Sequence, residues 1–321
     1  MRHLIILLFM CIAQVAIAQT NTTKRYSLFY QLEKNNKAML QVCIRNNQET
    51  VYQKAIGFAT IDTKQKANTE TIYPIGSISK MFTAVVIFQL VEEKKLRLET
   101  SLSTYFPNIP ESKNISIEHL LSHRSGIFNI TNDSTFSSYQ FKTLDGNHIA
   151  EKIASFPRVF ESGTRAQYSN SNYILLGLII EKITGKSLAE EIDNRICKKL
   201  RLQHTTLSEA ITPEEGIAKS YIYENDTWKE DVFTNRSIPR GAGAMQSTAS
   251  ELCTFLEGLF HGKLLSDTVF QEMIKIVDGF GKGIITFPFG TRKAYGHNGS
   301  IDGFRSALAY FPEDKMCFSI V

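Results

Sequence analysis

The sequence predicts an α+β fold: one antiparallel sheet formed from both chain ends and flanked by helices, with an inserted, mostly helical subdomain. Two observations lead to this prediction. Short runs with strand-like alternation occur near both ends of the chain, and apolar runs with helical spacing fill the middle. The chain has 321 residues, of which 43% are hydrophobic and 21% are charged. Such values are typical of a soluble globular protein with one large domain or two small ones.

Residues 1–18 have the pattern of a secretory signal peptide. Arg2 gives a positive start, residues 4–13 form an apolar run, and residues 16–18 (Ala-Ile-Ala) form a small-x-small cleavage site. The alternative is an N-terminal membrane anchor, but the apolar run is short for a bilayer span. We therefore expect cleavage after Ala18 and a periplasmic or secreted mature protein that has no stable membrane span.

The first elements after the signal segment are a helix and a hairpin. Residues 26–32 fit a short amphipathic helix, and residues 38–45 and 51–59 read as two strands around a turn-like polar stretch. Residues 81–91 are almost wholly apolar and end in a charged run. This pattern predicts a buried helix that begins at Ser77.

The middle of the chain is predicted to be mostly helical. Residues 172–184 form an apolar helix that Gly185 stops. Ser187 and Glu190 have the spacing of a capping box for the next helix. A further helix is expected over residues 248–260.

The C-terminal part returns to strands after one more helix capped by Ser266. Residues 295–299, 304–311 and 316–321 are extended runs separated by glycine, proline and charge. We therefore expect a single domain after the signal segment. The expected boundaries are residues 19–321 for the domain, about 23–100 and 245–321 for its α/β part, and about 101–244 for its helical part.

Charge and cysteine content exclude some classes of function. The formal net charge is +4 and the lysines and arginines form no block, so nothing indicates nucleic-acid binding. Four cysteines in apolar patterns, without Cys-x-x-Cys spacing, are expected to be buried core residues, although an exported protein permits disulfides. They are Cys43, Cys197, Cys253 and Cys317. We expect no metal site and no cofactor.

Ser77 and Lys80 form a Ser-x-x-Lys pair at the start of the apolar helix. Residues three apart lie on one helix face, and the free N–H groups of the first turn favour developing negative charge. A buried lysine has a lowered pKa and can take the proton of the hydroxyl. The alternative is a capping serine beside a solvated lysine. The nearly uncharged run after Lys80 favours the catalytic interpretation, because idle lysines are rarely placed there.

Two further segments have side chains suited to a catalytic cleft. Tyr168-Ser169-Asn170 precedes an apolar helix, so that a phenol and an amide are expected to project from a loop; the alternative is a turn with a helix cap. His297-Asn298-Gly299 is predicted to form an exposed edge strand, whose glycine lets a substrate backbone pair with it. The alternative there is a tight Asn-Gly turn.

The ordered set Ser-x-x-Lys, Tyr-x-Asn and His-x-Gly resembles the serine β-lactamase and penicillin-binding protein superfamily. It is most similar to the branch of class C β-lactamases, D-alanyl-D-alanine carboxypeptidases, D-aminopeptidases and related esterases. Residues 120–127, 168–181 and 241–252 also resemble segments of this branch, and the likeness covers nearly all of residues 30–321. The resemblance implies a β-lactamase or DD-peptidase-like fold. Compared with that branch, we expect the chain to lack the C-terminal element that usually covers the sheet.

The resemblance implies catalytic roles for Ser77, Lys80 and Tyr168. Ser77 is expected to attack a carbonyl and form an acyl-enzyme, while Lys80 and Tyr168 share the proton transfers and either one is the base. The implied substrate-binding residues are Asn170, His297, Asn298, Gly299 and Ser300. Among these, Asn170 orients the substrate amide, and His297 replaces the lysine of the Lys-Thr-Gly form and helps to bind a substrate carboxylate or hydroxyl. The backbone N–H groups of Ser77 and Ser300 would form an oxyanion hole, worth about 3–4 kcal/mol per donor.

His123 is expected to be structural rather than part of a Ser-His-Asp triad, because lysine and tyrosine already fill the role of base. Residues 125–165 and 205–245 are expected to form the cleft walls. The implied function is hydrolysis of a peptide, amide or ester by a D-amino-acid-specific peptidase of the DD-carboxypeptidase or D-aminopeptidase type, or by an esterase. The alternatives are a β-lactamase, a non-enzymatic penicillin-binding sensor and an inactive scaffold. The implied partners are small-molecule or peptide substrates, including peptidoglycan fragments and β-lactams.

Overall fold

The computed structural model describes residues 22–207 and 216–321. The predicted signal segment, residues 1–18, lies outside these ranges. Within them the strands are β1 Leu40–Asn46, β2 Glu49–Ile56, β3 Phe58–Thr60, β4 Gln65–Lys66, β5 Tyr73–Pro74, β6 Thr206–Leu207, β7 Tyr221–Glu224, β8 Thr227–Glu230, β9 Met245–Ser247, β10 Ile285–Phe289, β11 Arg292–Ile301, β12 Phe304–Phe311 and β13 Met316–Ile320.

The helices alternate with short 3₁₀ turns. They are α1 Thr22–Lys34, α2 Ser79–Glu92, α3 Ile117–Leu121, α4 Gly146–Ala154, α5 Asn170–Thr184, α6 Leu188–Ile192, α7 Lys198–Leu200, α8 Ala249–Phe260 and α9 Asp267–Ile274. A π-helical turn, Asp193–Cys197, joins α6 to α7. None of the helices in the described ranges is both long enough and apolar enough to span a bilayer.

The main sheet has six strands in the order β10-β11-β12-β13-β1-β2. Every pairing in it is antiparallel, and β1 and β13 bring the two chain ends together with Val42 opposite Ile320. The predicted fold class, an antiparallel sheet built from both chain ends with helices around it, is therefore confirmed. Smaller sheets pair β9 with both β5 and β6, β3 with β4, and β7 with β8.

The nucleophile helix α2 lies in the centre of the molecule. It is apolar on all sides and buried from Ser79 to Leu90, as expected for a helix that is enclosed on every face. The ring of Phe82 stacks on Phe255 of α8 with ring centroids 3.7 Å apart. Helix α8 also packs on β1, β12 and β13, while α5 packs on the other side of α2. The sheet therefore supports α2 through α8.

Most of the predicted elements occur within a few residues of their expected bounds. Gly185 ends α5 in the left-handed conformation with φ 69°, and Ser187 and Glu190 form the predicted capping box. The four cysteines are buried and free. Ser266 stands at the start of α9, but its side chain makes no capping hydrogen bond.

Two expectations need correction. Ser77 does not begin the α-helix; it sits in a 3₁₀ turn, Gly76–Ile78, and the α-helix starts at Ser79. The middle of the chain also contains the hairpin of β7 and β8. Its turn consists of Asn225 and Asp226, both at positive φ, and these residue types tolerate the left-handed conformation of a two-residue hairpin turn.

Candidate active site

Ser77 is presented by a tight turn that lies against strand β11. Gly76, just before it, has φ +52°, and a Cβ atom there would lie 2.8 Å from the backbone nitrogen of Ser300. Only glycine fits this position, since any side chain would collide with the strand and strain the backbone. The turn therefore holds the Ser77 hydroxyl and the Ser300 backbone close together at the N-terminal end of α2.

Lys80 is fully buried beneath Ser77, one turn further along. Its Nζ donates to Ser77 Oγ at 3.0 Å, to Asn170 Oδ1 at 2.8 Å and to the Ala242 carbonyl at 2.6 Å. These three acceptors match the three N–H donors of an ammonium group. Burial lowers the pKa of Lys80 well below its ordinary value, because desolvation penalises the charged form. A neutral amine is therefore available here at lower pH than on an exposed lysine.

Tyr168 contacts Ser77 from the opposite side. The two hydroxyl oxygens are 2.6 Å apart, and Tyr168 lies in the loop that leads into α5. Burial raises the pKa of the Tyr168 phenol to about 12, although its hydrogen bond with Ser77 acts in the lowering direction. The phenol is therefore protonated at neutral pH, and it can pass a proton on but does not provide a standing phenolate base.

Asn170 opens helix α5 beside the lysine. Its Oδ1 accepts from Lys80, and its Nδ2 donates to Thr131 Oγ1 at 3.2 Å. The hydrogen bond from Lys80 fixes which end of the amide faces the amine. The Nδ2 group consequently points toward the cleft wall, where it can also donate to a carbonyl oxygen of a ligand.

His123 packs on the tyrosine and not on the serine. Its side chain is buried, and its ring centroid lies 4.5 Å from that of Tyr168. Its Nδ1 accepts from the backbone N–H of Ser169 at 3.2 Å and lies 3.3 Å from Asn172 Nδ2. Burial lowers the pKa of His123 well below its ordinary value, so that the ring is neutral. These contacts are those of a residue that positions the Tyr168 loop.

Strand β11 contains the segment His297-Asn298-Gly299, which was predicted to form an edge strand, and the pairing of β11 confirms an open edge at these residues. β10 pairs with β11 from Arg292 to Gly296, so the strand is internal there. From His297 onward no residue of β10 pairs with it, and this half has an open edge. Ile301 and Phe304 flank the two-residue turn between β11 and β12. Because successive N–H groups of a strand point to alternate sides, those of Asn298 and Ser300 point away from β12 and toward the open edge.

His297 is buried beside Tyr168. Its ring centroid lies 6.5 Å from that of Tyr168, and its Nδ1 is 2.6 Å from the Asn298 carbonyl oxygen. Burial, with a smaller contribution from the charge of Lys80, lowers the pKa of His297 to about 4. The imidazole is therefore neutral. It can donate or accept one hydrogen bond through Nε2, but it brings no positive charge to a substrate carboxylate.

A cleft of about 360 Å³ opens in front of Ser77. Of the residues proposed from sequence, Ser77, Asn170 and Ser300 line it, whereas Lys80 and Tyr168 contact Ser77 but are not part of the lining. Its walls come mainly from the two expected regions, residues 125–165 and 205–245, with further residues from α5 and from the end of β11. Wall residues that the sequence did not single out are Ile130, Thr131, Phe136, Gln140, Asp231, Val232, Thr234, Ile238 and Asp302. The described residues contain no group of three or more His, Cys, Asp or Glu side chains that could hold a metal ion.

Comparisons with known proteins agree with this geometry. Residues 31–321 match the family model described as Beta-lactamase. Among curated proteins, the chain is similar to the teichoic acid D-alanine hydrolase of Staphylococcus aureus, with 28% identity over 235 residues. That match covers 73% of this chain and 57% of the relative, so the chain spans little more than half the length of the curated relatives it matches.

Solved structures show the same fold. The D-amino acid amidase of Ochrobactrum anthropi SV3 matches with a TM-score of 0.81 and 23% identity, over 92% of this chain and 90% of that one. The octameric penicillin-binding protein homologue of Pyrococcus abyssi matches with a TM-score of 0.80 and 27% identity, over 94% of this chain and 73% of that one. At such identities the likeness to the amidase concerns the fold alone.

Proposed function

We propose that this chain, which belongs to the β-lactamase family, is an exported serine hydrolase that acts on peptides, amides or esters of D-amino acids. The observation that carries the proposal is the position of the Ser77 hydroxyl, 2.6 Å from the Tyr168 hydroxyl and 3.0 Å from the Lys80 amine. A hydroxyl with two proton-exchanging partners at a helix N-terminus is suited to nucleophilic catalysis.

Acylation begins with attack of Ser77 Oγ on the carbonyl carbon of the substrate. Neutral Lys80 accepts the proton of the hydroxyl, since its lowered pKa makes the neutral amine more available than on an exposed lysine, while Tyr168 stays protonated at neutral pH. When the tetrahedral intermediate collapses, the bond to the leaving nitrogen or oxygen breaks, and the leaving atom takes a proton from the Tyr168 hydroxyl. The proton held by Lys80 then restores the phenol. The product of this step is an ester of Ser77.

The negative oxygen of the tetrahedral intermediate would lie between the backbone N–H groups of Ser77 and Ser300. Both residues line the cleft, and the turn at Gly76 brings their backbones together. Asn170 Nδ2 would donate to a substrate carbonyl next to the scissile bond. In deacylation a water molecule attacks the ester, the same groups accept its proton, and Ser77 Oγ leaves with a proton returned from Lys80.

The preference for D-amino acids is supported by the relatives. One is named a teichoic acid D-alanine hydrolase, and a structural neighbour is named a D-amino acid amidase. Export is supported by the signal-like pattern of residues 1–18, which would place the protein in the periplasm or outside the cell. Substrates in that location would be D-amino-acid esters, amides or peptides, including fragments of peptidoglycan.

The proposal is tested by comparing wild type with Ser77→Ala on three chromogenic substrates: nitrocefin, D-alanine p-nitroanilide and p-nitrophenyl acetate. We expect the wild type to hydrolyse the D-alanine anilide or the ester, and Ser77→Ala to lose this activity. Ser155→Ala, an exposed serine at the end of α4, is the matched control and should behave as wild type. Unchanged activity of Ser77→Ala on every substrate would contradict the mechanism.

The non-enzymatic sensor makes a different prediction for the acyl-enzyme. Intact-mass measurement after mixing with a penicillin would show a persistent adduct for a sensor. For a hydrolase the adduct would disappear as the penicillin is consumed, or would not accumulate. The two outcomes therefore separate turnover from a single acylation.

A further inference from the structure

We propose that the cleft selects acyl groups that bear a free ammonium group, and that the Asp231 carboxylate is the residue that determines this specificity. The inference rests on the proposed acyl-enzyme chemistry of Ser77 and adds the charge of the substrate to it. In chemical terms, the favoured substrates are D-aminoacyl esters and amides. N-acylated substrates are disfavoured.

Asp231 places a carboxylate on the wall of the catalytic cleft. It follows strand β8, and its backbone N–H donates to the Ser220 carbonyl at 2.9 Å, which fixes its position on the wall. The residue is partly exposed and lines the same cleft as Ser77. In the described part of the chain no hydrogen bond or ion pair engages its side chain. Its negative charge is therefore open to a ligand.

Asp302, the other carboxylate of this wall, is already compensated by the protein. Its side chain is only 3% exposed and accepts from the backbone N–H and the hydroxyl of Thr234 at 3.1 and 2.7 Å. Arg236 Nη1 lies 3.6 Å from its second oxygen. Burial is the main cause that raises the pKa of Asp302, and the nearby charge of Asp231 acts in the same direction. The uncompensated negative charge of the wall is thus that of Asp231.

The described lining of the cleft carries no cationic side chain to oppose the charge of Asp231. Of its lining residues in the described ranges, none is lysine, arginine or histidine. His297, which was expected to help bind a substrate carboxylate, is buried outside the lining and is neutral. A substrate carboxylate would therefore lose its hydration without gaining a cation, which is costly, whereas an ammonium would gain a carboxylate.

Asp231 lines the same cleft as Ser77, and in an aminoacyl substrate the ammonium lies next to the carbonyl that Ser77 attacks. The α-amino group is attached to the carbon next to the scissile carbonyl, so it enters the cleft together with the group that acylates Ser77. Phe136, Ile174 and Val232 supply apolar surface in the same cleft for the amino-acid side chain. The cleft thus provides a nucleophile, a negative charge and an apolar surface within one space of about 360 Å³.

The test uses two substrates that differ at the amine, which is a free ammonium in D-alanine p-nitroanilide and a neutral acetamide in N-acetyl-D-alanine p-nitroanilide; the Asp231 variant separates the effect of charge from that of the added acetyl group. For wild type we expect kcat/KM to favour the free amine by about tenfold or more, the size of a partly screened charge pair. Asp231→Asn should reduce kcat/KM for D-alanine p-nitroanilide by about tenfold, mainly through KM, and leave the acetylated substrate within about twofold. Glu70→Gln, an exposed carboxylate outside the cleft, is the matched control and should change neither value.

The dependence of KM on salt concentration is an independent test of the role of Asp231. Because the attraction is electrostatic, added sodium chloride should raise KM for the free amine in wild type but not in Asp231→Asn. Equal losses on both substrates in Asp231→Asn, or a wild type that prefers the acetylated anilide, would overturn the inference. So would turnover of p-nitrophenyl acetate without turnover of either anilide.

Failure of the proposed function would look different from failure of this inference. In that case Ser77→Ala would keep the wild-type rate on p-nitrophenyl acetate, whichever acyl group is preferred. A Ser77-dependent enzyme that ignores the ammonium group would keep the proposed function and reject the role of Asp231.

Discussion

Replacing Tyr168 by phenylalanine removes one hydroxyl from the site and little else. The ring keeps its contact with His123, at 4.5 Å between centroids, while Ser77 loses its partner at 2.6 Å. One hydrogen bond contributes about 0.5–1.5 kcal/mol to folding, so the free energy of unfolding should fall by about that amount. Loss of a positioned proton carrier lowers the rate by about 10²- to 10⁴-fold. At 1.36 kcal/mol per factor of ten, that is about 3–5 kcal/mol of barrier.

These two magnitudes make the experiment decisive, because the loss in rate exceeds anything that partial unfolding can cause. The acylation rate is measured as the burst of p-nitroaniline from D-alanine p-nitroanilide, because an anilide nitrogen must be protonated in order to leave, and stability is measured by urea unfolding. Tyr221→Phe is the matched control: it removes another tyrosine hydroxyl that accepts a hydrogen bond, from the backbone N–H of Ile61 at 2.8 Å, away from Ser77. A burst rate of Tyr168→Phe within about threefold of wild type would refute the assigned proton transfer, since the expected loss starts at about a hundredfold.

Two further predictions concern buried charges. The pKa of Lys80 is lowered by burial, and its neutral form is the base; kcat/KM for p-nitrophenyl acetate should therefore rise with pH through the Lys80 pKa and reach a plateau well below the ordinary pKa of lysine. Activity that increases up to the pKa of an exposed lysine would contradict this assignment. Asp302→Ala should destabilise the fold by about 3–5 kcal/mol in urea unfolding, because it leaves the buried Arg236 without its carboxylate. Asp231→Asn, which breaks no ion pair, should change stability by less than about 0.5 kcal/mol, and equal effects of the two variants would show that Asp302 is not a structural partner.

The strongest sequence patterns predicted the elements that position the nucleophile. The apolar run after Lys80 correctly predicted helix α2. The spacing of Ser77 and Lys80 correctly predicted their contact, because three residues make about one helical turn. The strand β10 was missed since it contains Pro288 and is followed by Gly290, both of which interrupt a strand pattern; as an edge strand it tolerates the proline.

The contacts between distant segments were less accessible to sequence reasoning. Tyr168 and Asn170 stood out only as members of an ordered set of motifs, because nothing local indicates that their loop meets α2. Asp231 and Thr234 lie in irregular structure, where spacing has no fixed relation to direction. Asp302 carried a usable signal, since Asp302-Gly303 is a two-residue hairpin turn, but its burial against Arg236 depends on the tertiary fold.

The pairing of β1 with β13 also has a consequence for how the molecule is made. Val42 faces Ile320, so two strands separated by nearly the whole chain must meet before the sheet is complete. Long-range pairings of this kind slow folding, because the chain entropy of a large loop is lost before the stabilising contacts between the strands form. The sheet therefore stays incomplete until β13 has been synthesised, and pulse-labelling hydrogen exchange during refolding should find the amides of β1 protected later than those of α5. For the exported protein that we propose, late closure would also leave the new polypeptide unfolded enough to pass through a translocation channel.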